Sequence, residues 1–393
     1  MGTGITYFSP GFGGQLGTLN DNYPWVIGQG FTPPNLFTPG PTLSEGLPAP
    51  APVEERPGAP PGHLIPKGGA SGGGFSSVFW MPNNLKMTRV YQWSFGIQRE
   101  VIRNLMVDIG YVGNAQNFIF LNVPGNVPRP GSDPTGTLTL QQRRPYYAVS
   151  PDLAGFTERF NGGNGHYHSM QLKIQRRFAA GFSLLAAYTV SKSIQSGTNF
   201  VDPFNYMVKS LASDDVPQRL VTSFVYELPV GKGKPFGNAW NKGADAFLGG
   251  WEVAGIVNYQ EGFPFTPSIT SPLDNGQGDQ PNRVCDGRIS NRSINEWFDT
   301  SCFTAPAVNT IGNSGFNILR GPTLRNWDLT LGKSWIFTET RRLQFRTEFL
   351  NAFNQTAFAN PNAQVDVPGA GTVTGVASNT APRRIQFGLK LYF

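Results

Sequence analysis

The 393-residue sequence predicts an all-β fold, an antiparallel transmembrane β-barrel wall of about nine to ten strands, part of a larger barrel with long extracellular loops. Three observations carry that expectation. Apolar and polar residues alternate with period two in about nine segments, the connections between these segments run short and long in turn, and aromatic residues recur eight positions apart on the apolar side.

Composition points the same way. With 48 Gly and 33 Pro the chain is rich in turn formers, only 14% of residues are charged, and 13% aromatics is too many for disorder. No stretch approaches the ~20 apolar residues that a helical span needs, but alternating strands can cross a membrane without one. The net charge of +6 is spread over scattered Lys and Arg, which excludes nucleic acid as an expected partner. Met1-Gly-Thr-Gly-Ile has no basic region followed by an apolar core, so an exported protein of this kind is expected to have more sequence upstream.

Residues 1–87 hold 14 of the 33 prolines and read as a Pro/Gly-rich extended loop or linker, because proline cannot donate to a ladder. Residues 88–393 read as the barrel segment. Tyr91, Trp93, Phe95 and Ile97 share one face, and a turn near Arg103-Asn104 leads to Leu105, Val107, Ile109 and Tyr111. Met170, Leu172 and Ile174 form the next strand, and Ala179-Ala-Gly181 turns it into Phe182, Leu184, Ala186, Tyr188 and Val190. Leu220, Thr222, Phe224 and Tyr226 follow, joined through Gly231-Lys-Gly-Lys-Pro-Phe-Gly237 to Trp251, Val253, Gly255, Val257 and Tyr259. Trp327, Leu329, Leu331 and Trp335 then pass through Thr338-Glu-Thr340 to Leu343, Phe345, Thr347 and Phe349.

The pairs Trp251/Tyr259 and Trp327/Trp335 are expected to form aromatic girdles, because eight tilted strand steps cover ~20 Å of the membrane normal. Arg99, Arg176 and Lys333 share the apolar parity near short turns, where long side chains are expected to snorkel to the interface. The opposite face carries Gln98, Asp108, Lys173, Gln175, Glu227, Glu252, Asp328, Arg346, Glu348 and Lys390. Nine strands would leave the first one starting outside, whereas a bacterial barrel is expected to have an even count. Either a further strand lies in residues 1–87 or in the cysteine loop, or the chain is the C-terminal part of a larger barrel; the second is preferred here.

Ile385, Phe387, Leu389, Leu391 and Phe393 alternate up to the last residue. They resemble the C-terminal strand by which the barrel-assembly machinery recognises outer-membrane barrels. Deleting Phe393 is therefore expected to impair membrane assembly, measured as the folded fraction in outer-membrane preparations; normal insertion would remove its sorting role.

The chain resembles the C-terminal portion of TonB-dependent outer-membrane receptors, most closely the Oar-like group whose members begin with a carboxypeptidase-regulatory-like domain. The resembling stretches are Tyr91-Gln-Trp-Ser-Phe-Gly-Ile-Gln-Arg-Glu100, Ile109-Gly-Tyr-Val-Gly-Asn114, Tyr226-Glu-Leu-Pro-Val-Gly-Lys-Gly-Lys234, Glu296-Trp-Phe-Asp-Thr-Ser-Cys-Phe303, Leu343-Gln-Phe-Arg-Thr-Glu-Phe-Leu-Asn-Ala-Phe-Asn354 and the terminal strand. The resemblance implies a cell outer membrane location in a Gram-negative-type bacterium and uptake of a small ligand or glycan through a plugged barrel. It implies TonB as a partner only through N-terminal parts not found here. A passive porin, a surface adhesin and a secreted soluble β-sandwich that binds glycans are the competing readings.

No enzyme chemistry is expected, and no cofactor. His166-Tyr-His168 lacks an adjacent carboxylate or cysteine motif for a metal, Gly231–Gly237 lacks the ending of a phosphate loop, and Asp274–Asp279 lacks the distal Glu of a calcium loop. Cys285 and Cys302 are expected to pair in an oxidising compartment, the alternative being two free thiols.

Overall fold

The computed structural model of the chain describes residues 2–8, 44, 53–55, 64–66, 79–80, 84–151, 153, 155–197, 202–205, 207–270, 280–378 and 380–393. Ten long strands make one sheet: β1 (Gly2–Phe8), β2 (Thr88–Ile102), β3 (Leu105–Gly125), β4 (Phe156–Ala179), β5 (Phe182–Ser196), β6 (Gln218–Glu227), β7 (Trp251–Gln260), β8 (Leu324–Ile336), β9 (Arg342–Leu350) and β10 (Arg384–Tyr392). Each pairs antiparallel with the next in chain order, a pure meander. Among the described residues β1 and β10 each have one strand partner, so the wall they form is not closed.

All nine expected strands form, and β1 is a tenth that lies inside residues 1–87. Ile5 pairs with Tyr91 and Tyr7 with Arg89, which places Ile5 and Tyr7 on the apolar side of the sheet. Among the described residues the count of long strands in the sheet is therefore even, and the cysteine loop contributes only two-residue strands that pair apart from it. Phe79–Trp80 adds to Thr157–Glu158 of β4 in parallel.

Strands of nine or ten residues, such as β6, β7, β9 and β10, match the ~9 to 11 that a tilted strand needs to cross a bilayer. With 21 and 24 residues, β3 and β4 outrun that need and stay paired as far as Gly125 and Phe156. The turns at one end follow local chemistry. Ala180 (φ 52°) and Gly181 (φ 75°) form a two-residue hairpin whose twist suits adjacent strands. Asn104 (φ 68°) takes the left-handed conformation at the β2–β3 turn, and its amide donates to Glu100 Oε1 at 2.9 Å.

One of these connections departs from the expected tight turn. Between β6 and β7 lies a helix, α1 (Lys242–Leu248), whose Asn241 side chain accepts from the Ala244 amide at 2.8 Å. The helix lies over the apolar-parity residues at that end. Trp251 Nε1 donates to Phe247 O at 2.9 Å and Trp335 Nε1 to Ala246 O at 2.8 Å. Lys333 does not snorkel as the sequence suggests. It is 4% exposed, held between the rings of Trp251 and Trp335 with its ammonium donating to Gly249 O. The negative end of a helix meets that charge, which water would otherwise have to solvate.

The apolar surface is distributed as in a membrane wall. Phe387 (73%), Leu389 (69%) and Leu391 (59%) of β10 are exposed, as are Phe95, Ile97, Ile109 and Met170 on the same face of the sheet. The other described sheets are two-stranded, so no second sheet covers these residues and the β-sandwich reading is excluded. The compact hydrophobic cluster lies instead outside the ten long strands, in the long loops and the two-residue strands they contain.

Candidate functional site

Four long connections, 126–155, 197–217, 261–323 and 351–383, leave the same end of the sheet, and their described residues pack into a cap. Its core begins with the segment Glu296–Phe303. Phe298, 2% exposed, has its ring 5.5 Å from that of Phe265 and 5.8 Å from that of Phe303, with Leu319 buried alongside. These side chains come from stretches without strand or helix periodicity, so only their hydrophobicity was readable in advance. Cys285 and Cys302 are joined in a disulfide that ties the core segment back to its own approach. Asp299 is close to both sulfurs, but bonded sulfurs supply no thiolate, so this group is not a metal site.

Polar contacts lock the loops together. The fully buried Asp215 forms an ion pair with Arg320 Nη2, while Arg320 Nη1 donates to Asp215 O at 2.8 Å and the Ser193 amide to Asp215 Oδ1 at 2.5 Å. Arg320 O in turn accepts from Trp297 Nε1 at 2.8 Å. Asn317 Nδ2 donates to Leu211 O at 2.7 Å, and Arg143 Nη1 to Asn309 Oδ1 at 2.8 Å. The amide of Thr270 donates to Asp366 at 2.8 Å. Backbones also meet closely: a side chain on Gly262 would begin 2.0 Å from Gly321 O, so glycine is required where the chain enters the cap. In the 126–155 loop, hydrogen bonds from the Leu138 amide and the Thr135 hydroxyl hold the Asp133 carboxyl below the usual carboxylate range.

The disulfide yields a prediction at this point. It closes a loop of sequence separation 17, for which the chain-entropy account gives about 3 kcal/mol. The Cys285→Ser, Cys302→Ser variant should thus cleave faster in the 280–320 segment under limited proteolysis, with the strands intact. Equal cleavage rates would show that the core holds without the staple.

Beneath the cap, the polar face of β6 to β9 borders a cavity of about 460 Å³ lined by Arg219, Asn258, Gln260, Asn326, Asp328 and Arg384. Asp328 is fixed there: its Oδ2 accepts from Asn326 Nδ2 at 2.9 Å and its Oδ1 from the Asn351 amide at 2.8 Å. Asn351 and Asn354, both at φ 50°, end the sequence Phe349-Leu-Asn-Ala-Phe-Asn354 in the left-handed region that asparagine tolerates. Asn351 Nδ2 then donates to Gln355 O and Ala381 O, closing the loop onto the wall. Gln355, which also lines the cavity, has its Oε1 buried without a hydrogen-bond donor among the described residues. Three guanidinium groups, those of Arg219, Arg325 and Arg384, with several amides and one carboxylate suit a polar, hydroxyl-bearing ligand.

The other singled-out residues are placed as follows. Pairing sets Trp251 opposite Lys333, next to Trp335, at the short-turn end, and Tyr259 opposite Arg325, next to Trp327, at the cap end. The four rings therefore make two rows. His168 Nδ1 lies 2.7 Å from Tyr111 OH and its ring packs by Trp93, while His166 is exposed; the two join no cluster of metal-ligating groups among the described residues. Asp274–Asp279 lies outside the described residues. On the polar face Asp108 is in register with Lys173, Arg346 Nε pairs with Glu348 Oε1 at 2.8 Å, and Glu227 with Lys234 at 2.7 Å.

A meander of tilted strands with a lipid-type outer face, a charged inner face and loops gathered at one end defines a transmembrane β-barrel wall. The description outer membrane beta barrel domain matches residues 1–386, and the chain belongs to that family. It therefore resides in the outer membrane. No curated protein sequence matches it. Similar solved structures include the outer membrane transporter YddB from Escherichia coli, at 13% identity and TM-score 0.38, over 80% of this chain and 34% of YddB. The FrpB iron transporter from Neisseria meningitidis aligns at 13% identity and TM-score 0.37, over 80% of this chain and 33% of that one. The pyoverdine receptor FpvA from Pseudomonas aeruginosa PAO1 aligns at 11% identity and TM-score 0.36, over 79% and 30% respectively. The chain thus spans about a third of the length of these proteins.

Proposed function

We propose that this chain forms the C-terminal wall and loop cap of a ligand-uptake barrel of the TonB-dependent receptor kind, with no catalytic role. The observation that carries the reading is the wall whose β1 and β10 edges are unpaired among the described residues, polar on one face, over which a stapled cap holds a cavity lined by arginines, amides and Asp328. Unpaired edges cannot face lipid, so further strands complete the ring. The Oar-like stretches support the receptor subgroup: Glu296–Phe303 supplies the cap core, and Leu343–Asn354 supplies β9 and the Asn351 closure. TonB would act through a plug contributed by other parts of the protein. The ligand class favoured by the cavity is small, polar and hydroxyl-bearing, with a glycan among its members.

A planar-bilayer recording on the complete outer-membrane protein separates this reading from a porin. A receptor barrel filled by a plug should show no steady open-channel conductance. A steady, voltage-independent conductance would replace it with passive diffusion.

A further inference from the structure

The connection between β6 and β7 carries an amphipathic foot, and we propose that it seats in the periplasmic leaflet of the outer membrane, with Lys232 and Lys242 binding anionic phospholipid headgroups. The position comes first. Helix α1 is fixed to the lipid-parity face of β7 and β8 by Trp251, Trp335 and Lys333, each donating to its backbone carbonyls or to Gly249 just beyond it. It lies at the short-turn end, which is periplasmic in barrels of this kind.

The exposed side of the foot is apolar. Phe247 (77%) and Leu248 are exposed, as are Phe236 and Phe337 of the neighbouring turns and Ile336 at the end of β8. Phe247 and Leu248 lie on the helix that Trp251 and Trp335 hold, and Phe337 has the parity of Trp335, so these three adjoin the apolar band at the Trp251 and Trp335 row, whereas Ile336 has the other parity. A patch of this kind left in water would be costly, whereas the same residues at the headgroup boundary bury their apolar area.

Charge then selects the lipid. A cavity of about 420 Å³ lies between the foot and the end of β8, lined by Lys232, Lys242, Ala246, Trp335, Ile336 and Phe337. Lys234 is paired with Glu227, and Lys333 is answered by carbonyls. Lys232 and Lys242 are exposed and form no ion pair among the described residues. The carboxylate in the cavity lining, Asp245, accepts the Lys232 amide at 2.7 Å. Two ammonium groups in a mainly polar slot, with Trp335, Ile336 and Phe337 along one edge, match a phosphate whose acyl chains lie against that edge.

The test uses the complete protein in nanodiscs, labelled with a polarity-sensitive fluorophore at Phe247→Cys, the native cysteines being bonded to each other. Quenching by a nitroxide carried near the lipid headgroup, with protection from aqueous iodide, is expected. Iodide quenching without nitroxide quenching would overturn the seat. Anionic phosphatidylglycerol should be retained over phosphatidylcholine, and Lys232→Gln and Lys242→Gln should each weaken that preference by about fivefold. An undiminished preference in the double variant would overturn the headgroup assignment. Lys333→Met separates anchoring from folding: the label should move toward water while heat-modifiable migration of the barrel is kept, and a label that stays in lipid would remove Lys333 as the anchor.

Discussion

Replacing Arg320 with Met is expected to loosen the cap more than any other single change to its polar contacts. Arg320 is the counter-charge of Asp215, whose side chain is 1% exposed, and it also donates to Asp215 O and Gly262 O. Breaking such a pair strands a buried carboxylate, which costs about 3–5 kcal/mol. The Arg320 side chain is itself 24% exposed, so the loss should fall toward the lower end of that range. Hydrogen exchange should rise in 205–217 and 261–323 and leave β7 and β8 protected. Asp215→Asn in the same chain should recover part of the loss, because an amide costs less to bury alone than a carboxylate. Unchanged exchange in the single variant would mean that the aromatic core alone holds the two loops.

Leu331→Arg should destabilise the wall itself. Leu331 lies in mid-strand on the apolar face, opposite Val253 of β7 and Thr347 of β9. A guanidinium there faces hydrocarbon, at a cost of about 2–4 kcal/mol at the bilayer midplane. Thr330→Arg, one residue earlier, points to the other face, where Ala254 and Glu348 are its neighbours in register. That charge meets water and a carboxylate, so a much smaller loss is expected. Equilibrium refolding of the complete protein into lipid vesicles gives both values, and equal losses would mean that the two faces are wrongly assigned.

The structure makes plain which features the residue pattern could show. Alternation is a local property, so β2 to β10 were legible from parity alone. β1 carries the same signal in Ile5 and Tyr7, but it is short and lies beside a proline-rich stretch that suggests loop. With seven residues, α1 is too short for a helical period to emerge, and Gly243 weakens it further. Lys333 could be placed on the apolar face, but its burial depends on a helix that begins 91 residues earlier.

By itself, then, the amino-acid order determined the strands, their faces and the membrane as the solvent for one of those faces, because a period of two forces every second side chain to the same side. Tertiary structure alone decided the cap, the Asp215–Arg320 pair across 105 residues, the Gln355 acceptor and the α1 seat on Lys333. Those contacts join irregular segments distant in the chain, and no spacing rule connects residues whose meeting depends on how loops close.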